Sequence, residues 1–168
     1  MAWSGLGWSH CLLGELATAK ECIEKGISLH RQAGMPYFMS LHLMLAAMVD
    51  LDSGNLASAK DNIEQGLRLS KQAGEKWVEA MSLVFLGRIL AKSDRSLSDQ
   101  AKEYVREGIR MLKGLNVLPL CSQAYLIMAE VLLNDGKRLK ALGNLLRAKR
   151  MFKTMHMDYW LALTKKPV

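Results

Sequence analysis

The residues that could do chemistry are four histidines, three cysteines and two neighbouring aspartates, and their spacing limits what each could do. No histidine stands in an HExxH or similar metal-ligand spacing, and the cysteines form no CxxC pair. The chain also lacks a P-loop, a GxSxG nucleophile elbow and a dinucleotide fingerprint. These residues are His10, His30, His42, His156, Cys11, Cys22, Cys121, Asp50 and Asp52. We therefore expect no catalytic site, no metal and no cofactor.

Each of these residues has a simpler structural interpretation. His10 and His42 fall on predicted helices, where a turn contact or a polar helix edge accounts for a histidine. Asp50 and Asp52 flank a predicted turn, so we expect them to cap or solvate it. The cysteines suit buried positions in a reducing compartment. No apolar run approaches the roughly 20 residues that span a bilayer, and no secretory signal is seen, so we expect a cytoplasmic protein without a membrane partner.

Positive charge is concentrated in the C-terminal part of the chain. The segment from Asn134 to Val168 holds nine Lys or Arg and two Asp, so it carries the whole net charge of +7. A solvated helix face is the favoured interpretation, contact with an acidic partner the second, and nucleic-acid binding the least favoured. Only Tyr159 and Trp160 could stack on bases nearby, and no RNA-reading motif accompanies them. The basic cluster comprises Lys137 and Lys140 at the beginning of the last long helix and Arg147, Arg150 and Lys153 along it.

A sequence repeat organises the elements that would position these side chains. The segment Gly14–Lys20 returns as Gly54–Lys60, and Gln32-Ala33-Gly34 returns as Gln72-Ala73-Gly74, each after 40 residues. Such a period is typical of solenoids built from stacked supersecondary units. Apolar residues recur three and four positions apart, and no window shows sustained strand alternation, so the sequence predicts an all-α fold.

Glycine and other turn residues separate the predicted helices into pairs, which we call helix A and helix B of each repeat. We expect one domain over 1–168, with repeats near 1–34 (partial), 35–74, 75–116, 117–156 and a partial fifth from 157 to 168. The predicted helices span 2–13, 17–32, 36–51, 57–72, 76–92, 98–112, 118–133, 138–153 and a segment from 157. Pro36 and Pro119 stand at predicted helix starts, where a missing N–H is tolerated.

Small residues recur where the two helices of a repeat should cross. Small side chains there let the backbones approach, and glycine inside a helix costs about 1 kcal/mol against alanine, so its recurrence indicates a packing need. The crossing positions are Gly7, Ala47, Gly87 and Ala129 on helix A, and Ala19, Ala59, Ala101, Ala141, Gly26, Gly66, Gly108 and Ala148 on helix B. This pattern resembles the tetratricopeptide repeat (TPR) family, in a long variety of 40–42 residues as found in bacterial signalling proteins.

The resemblance implies an alpha-alpha superhelix, a TPR-like solenoid of antiparallel helix pairs, with a concave surface lined by helix A. A methionine-rich surface adapts to varied apolar partners, and Arg88 or Lys92 could meet a carboxylate. Whether Met44 and Met48 face a ligand or the core is left open by the sequence. Carried over by position, the implied groove residues are Ser4, Trp8, Cys11, Leu41, Met44, Met48, Leu51, Met81, Val84, Arg88, Lys92, Gln123, Leu126, Glu130 and Asn134.

The predicted function is a non-enzymatic scaffold that binds a peptide or helix of a partner protein in this groove. One alternative is a regulatory or sensory segment of a larger signalling ATPase or nucleotide cyclase. A weaker alternative is a nucleic-acid adaptor that uses the basic C-terminal helix. Because the first repeat lacks half of helix A, Trp3, Leu6 and Trp8 lose a packing partner. Either more chain precedes them or this end forms a homodimer with a second copy.

Overall fold

The computed structural model describes residues 2–34 and 37–164, and all the regular structure in these residues is helical. Each observed boundary lies within two residues of its prediction, except that α3 begins at Met39 and its predicted start, Pro36, lies outside the described residues. The all-α prediction is therefore confirmed. The helices are α1 Ala2–Leu13, α2 Leu16–Gln32, α3 Met39–Asp52, α4 Leu56–Ala73, α5 Lys76–Ser93, a 3-10 helix Arg95–Leu97, α6 Ser98–Gly114, α7 Leu118–Asn134, α8 Arg138–Thr154 and α9 Asp158–Leu163.

The chain divides into two compact units, Met1–Ser82 and Leu83–Val168. In the first unit α1 packs on α2, α2 on α3 and α3 on α4, and α1 also touches α3. In the second unit α6 packs on α7, α7 on α8 and α8 on α9. In these pairs, helices that are neighbours in sequence are also neighbours in space, as expected of stacked helix pairs joined by short turns.

The predicted close helix crossings are present within both units. A Cβ atom added to Gly7 would lie 2.8 Å from the carbonyl oxygen of Ala19. One added to Gly87 would lie 2.5 Å from the carbonyl oxygen of Ala101, so neither helix A has room for a side chain there. A Cβ on Gly66 would lie 3.1 Å from the Ser40 carbonyl oxygen. Close backbone approach explains why these helices contain glycine despite its helix-breaking cost.

The turns from helix A to helix B depend on a left-handed residue. Gly14, Gly54 and Gly136 occupy this turn with φ between +73° and +83°, a region that side chains with a Cβ rarely adopt. The third repeat has no glycine here. Its longer connection forms the 3-10 helix instead, and the Asp94 carboxylate accepts a hydrogen bond of 2.8 Å from the backbone N–H of Ser96.

In two repeats, the lysine that follows the small crossing residue of helix B forms an ion pair with an aspartate at the end of the next helix A. Lys20 Nζ donates to Asp50 Oδ1 at 3.1 Å, and the buried Lys102 donates to Asp135 Oδ2 at 2.5 Å. Asp50 is 3% exposed and also accepts from Ser58 Oγ at 2.6 Å and Asn62 Nδ2 at 2.9 Å. The prediction that Asp50 caps or solvates the turn was therefore wrong, because its carboxylate joins α3 to α2 and α4 instead.

Candidate partner-binding surface

A buried cluster of Ser4, His30 and His42 has the residue types of a nucleophile and its base. Ser4 Oγ lies 2.5 Å from His42 Nδ1, and His42 Nε2 lies 3.1 Å from His30 Nδ1. The three residues are 2%, 9% and 0% exposed, so a substrate would have to displace packed side chains to reach the hydroxyl. The contacts satisfy polar groups inside the first compact unit, as buried polar groups require. We therefore interpret the cluster as part of the core.

The two helix A histidines differ in environment. His10 contacts a turn, with its Nδ1 atom 2.5 Å from Glu15 Oε2, as predicted. His42 is fully buried, so the prediction of a turn contact or polar edge was wrong for it. Burial is the main cause that lowers the pKa of His42 to about 4, and the facing ring of His30 is the second. At neutral pH the imidazole of His42 is thus uncharged, because burial disfavours the charged form.

The other candidates for chemistry stand apart from one another. Over the described ranges, no group of three or more His, Cys, Asp or Glu side chains could hold a metal ion. Cys11, Cys22 and Cys121 form no disulfide, and burial raises the pKa of the Cys121 thiol, which makes it a poor nucleophile.

The apolar half of the implied groove is core. α3 is apolar around most of its circumference, and such a helix is packed on every side. Its methionines and their equivalents on α5 therefore expose almost nothing to solvent, whereas Trp8 and Leu41 stay half-buried. Ser4 is also buried, against His42. The buried groove residues are Met44 (4% exposed), Met48 (7%), Leu51 (3%), Met81 (2%) and Val84 (0%).

The polar half of the implied groove reaches the surface in the second compact unit. On α7 the residues Gln123, Leu126, Glu130 and Asn134 are half-buried or exposed, whereas most of the residues between them are buried. Their spacing of three and four places them along one face of the helix. Arg88 is half-buried and Lys92 exposed on α5. We call these six residues the helix A surface.

The charges of the helix A surface meet at Glu130. Arg88 Nε donates to Glu130 Oε2 at 2.8 Å, and Lys92 Nζ lies 3.6 Å from Oε1. The three side chains are between 20% and 34% exposed, so an incoming ligand can touch them. The Lys92 ammonium lies farther from Glu130 than the Arg88 guanidinium does, which makes Lys92 the better placed of the two to meet a partner carboxylate. The resemblance to the TPR family predicted these residues as groove members. Their pairing was found only in the structure, because Arg88 and Glu130 are 42 residues apart in sequence.

Comparisons with known proteins identify the fold. No family model matches the chain, and no curated protein sequence matches it. Among solved structures, the apo form of RapI matches with a TM-score of 0.74 and 11% sequence identity. The match covers 97% of this chain and 59% of that one, so the chain spans about three fifths of the length of RapI. No helix in the described part of the chain is long and apolar enough to cross a membrane. At this identity the likeness shows fold alone, and the chain is an all-α helical-repeat protein of the alpha-alpha superhelix class.

Proposed function

We propose that the chain is a non-enzymatic protein-binding module of the TPR type, and that the helix A surface captures a peptide or helix of a partner protein. The observation that carries the proposal is the cluster of Arg88, Lys92 and Glu130, where exposed charges are held in fixed positions beside Leu126. A helical scaffold that presents polar anchors next to an apolar side chain suits recognition of a short segment.

The arrangement favours a segment with an acidic residue near an apolar one. A partner carboxylate would share Lys92 with Glu130, because the Lys92 ammonium lies 3.6 Å from Glu130, longer than the 2.8 Å contact of Arg88. Leu126 stands one helical turn before Glu130 and would meet the apolar side chain. Gln123 and Asn134 extend the same face and supply hydrogen-bonding groups for the backbone of the segment. Cysteines that form no disulfide suit a reducing compartment, so the proposal places this binding in the cytoplasm.

A peptide-display selection tests the proposal. A random library of short peptides is selected on the whole chain, and the recovered peptides are measured against Lys92→Glu and against Lys149→Glu. Both lysines are exposed, and both changes alter charge equally. We expect acidic peptides whose affinity falls about tenfold for Lys92→Glu, close to 1.4 kcal/mol, and stays unchanged for Lys149→Glu. Peptides that bind both variants as tightly as the original chain would refute the helix A surface as their site.

A further inference from the structure

The second compact unit contains a cleft between its two helix B elements. α6 and α8 form the walls, α7 forms the base, and the space between them measures about 460 Å³. The apolar floor consists of Ile109, Met128 and Leu132, all less than 10% exposed. Arg106, Lys140 and Arg147 line the exposed rim. Because the rim is open to solvent, the cleft is a trough that fits side chains of a docked segment better than an enclosed small molecule.

The charge in this cleft is of one sign. No Asp or Glu lines it, and in residues 2–34 and 37–164 no carboxylate lies within ion-pair distance of Lys140 or Arg147. Arg147 Nη1 donates to the Tyr125 hydroxyl at 3.2 Å, and its guanidinium lies 5.0 Å from the centroid of the Tyr125 ring. Arg147 is thus held in place over the cleft. Arg106 pairs with the exposed Glu103 at 2.8 Å.

The corresponding cleft of the first compact unit shows that the repeat itself does not require this charge. It lies between α2 and α4 over α3 and measures about 390 Å³. Lys20 and Arg31 line it together with Glu24 and Asp50, and Lys20 pairs with Asp50 at 3.1 Å. Cations and carboxylates therefore balance there. Of these two clefts, the α6–α8 cleft is the one whose positive charge is not compensated by carboxylates.

Gly143 lowers the α8 wall of this cleft. It lies inside α8 and lines the cleft, yet a Cβ atom added to it would meet nothing within 4 Å. Glycine inside a helix is unfavourable relative to alanine. At Gly7 and Gly87 a packed neighbour explains the glycine, whereas at Gly143 the protein supplies no such neighbour in its described part. The missing side chain lowers the cleft wall and would let a ligand backbone come close.

We propose that the α6–α8 cleft binds an acidic segment of a partner protein, with its carboxylates against Lys140 and Arg147 and an apolar side chain on the floor. Complementary charge is the argument for an acidic occupant. A protein segment is favoured over nucleic acid because base stacking needs an accessible aromatic face. Tyr125 is 4% exposed and already covered by Arg147. The apolar floor likewise matches a leucine or valine better than a phosphate backbone.

Fluorescence anisotropy with a defined probe tests the proposal. The probe is a labelled peptide of about three helical turns with Glu at every fourth position and Leu beside each Glu. The comparison probes are the same peptide with Gln for Glu, and a labelled oligothymidylate. We expect the acidic peptide to bind the whole chain, and Lys140→Gln with Arg147→Gln to weaken it at least about tenfold. The matched control, Lys149→Gln with Lys153→Gln, removes the same charge from α8 outside the cleft and should change the affinity little.

A second variant separates binding from folding. Gly143→Leu fills the cleft wall without meeting a neighbour, so we expect an equal or higher melting temperature together with lost peptide binding. Absence of binding to the unaltered chain would overturn the proposal, and so would equal weakening by the cleft double variant and its control. Tighter binding of the oligothymidylate, lost in the cleft double variant, would assign the cleft to nucleic acid instead. Because Arg88 and Lys92 play no part here, the result is separable from that of the display selection.

Discussion

At the scale of single residues, buried polar side chains are the least expected feature of this protein. Ser4, His30 and His42 satisfy one another inside the first compact unit, and Asp50 accepts three hydrogen bonds from α2 and α4. Each polar group loses its hydrogen bonds to water on burial and makes hydrogen bonds to other protein groups instead. Such contacts fix which helix faces meet, and the buried His42 makes the stability of the fold depend on pH.

The first prediction concerns the pH dependence of stability. His42 has a pKa of about 4 in the folded chain against 6.5 when unfolded, so the unfolded state binds more protons between these values. The contribution of His42 to stability is therefore fully present well above pH 6.5 and is lost as the pH falls through 6.5 towards 4. We expect a loss of about 2 kcal/mol at pH 5 relative to pH 7, measured by urea denaturation. The groups facing His42 are His30 and Ser4, neither of which offers a compensating negative charge.

His42→Gln provides the control for this measurement. Glutamine can hydrogen-bond to Ser4 but does not titrate, so the variant should be less stable at pH 7 and should lose much of the change between pH 7 and pH 5. An unaltered chain that is equally stable at both values would show that His42 is not buried as a neutral imidazole.

At the scale of elements, each helix pair is set by where a small residue allows two backbones to meet. Gly66 on α4 faces the Ser40 carbonyl oxygen and Leu43 of α3, and Gly7 and Gly87 occupy the same kind of contact in other repeats. These contacts tolerate no added volume, because packed interiors shift only at a cost. A helix that is apolar around most of its circumference, such as α3, is buried by the same packing.

The second prediction compares Gly66→Leu with Lys60→Leu. A Cβ at Gly66 already lies 3.1 Å from the Ser40 carbonyl oxygen, so the remaining leucine atoms must force α3 and α4 apart, at about 1–3 kcal/mol or more. Lys60 is exposed and pairs only loosely with Glu64, at 3.9 Å, so its replacement should change stability by less than about 0.5 kcal/mol. Thermal denaturation measures both, and equal melting temperatures would contradict the observed crossing.

The third prediction concerns Met44→Glu combined with Met48→Glu. A groove position would tolerate both changes, but these side chains are 4% and 7% exposed, so the variant must bury unpaired charges. We expect a loss of more than about 4 kcal/mol, comparable to the whole stability of many domains. Circular dichroism should show unfolding. Met44→Leu is the volume-matched control and should cost less than about 1.5 kcal/mol. A folded double variant would return both methionines to a ligand-facing role.

At the scale of the whole molecule, the distribution of charge and of exposed apolar groups determines which surfaces can meet partners. Six Lys or Arg and no acid occupy α8, and the helix A surface presents Lys92 beside the Arg88–Glu130 pair. At the other end, Trp3 and Leu6 on α1 are 36% and 45% exposed, with the Lys25 ammonium 3.9 Å from the Trp3 ring centroid. Grouped apolar exposure of this kind often marks an interface.

The fourth prediction is that this chain self-associates through α1. Light scattering over a concentration series should show a dimer at micromolar concentration, since the exposed apolar side chains gain by leaving water. Trp3→Ser with Leu6→Ser should remain monomeric over the same range. The matched control changes Leu139, an exposed leucine on α8, to Ser and should leave the dimer intact. A chain that is monomeric at every concentration would refute the α1 interface.

The sequence by itself determined the helices, most of their boundaries and the small residues at the crossings. These features are local: spacing of three and four, glycine at left-handed turns and a repeat period of 40 residues all act within one or two helices. The exposed stripe on α7 was predictable for the same reason, because its polar residues interrupt an otherwise apolar helix. The equivalent positions on α3 carry only apolar residues, and that difference could have predicted their burial.

Only the tertiary structure decided the contacts between residues distant in sequence. Ser4 and His42 are 38 residues apart, Lys20 and Asp50 are 30 apart, and Arg88 and Glu130 are 42 apart. Their pairing depends on how far one helix pair is rotated against the next, which no local pattern encodes. The charge balance of the two clefts is decided in the same way, because each brings together side chains of three helices. Local spacing fixes each helix, and packing determines which side chains of different helices meet.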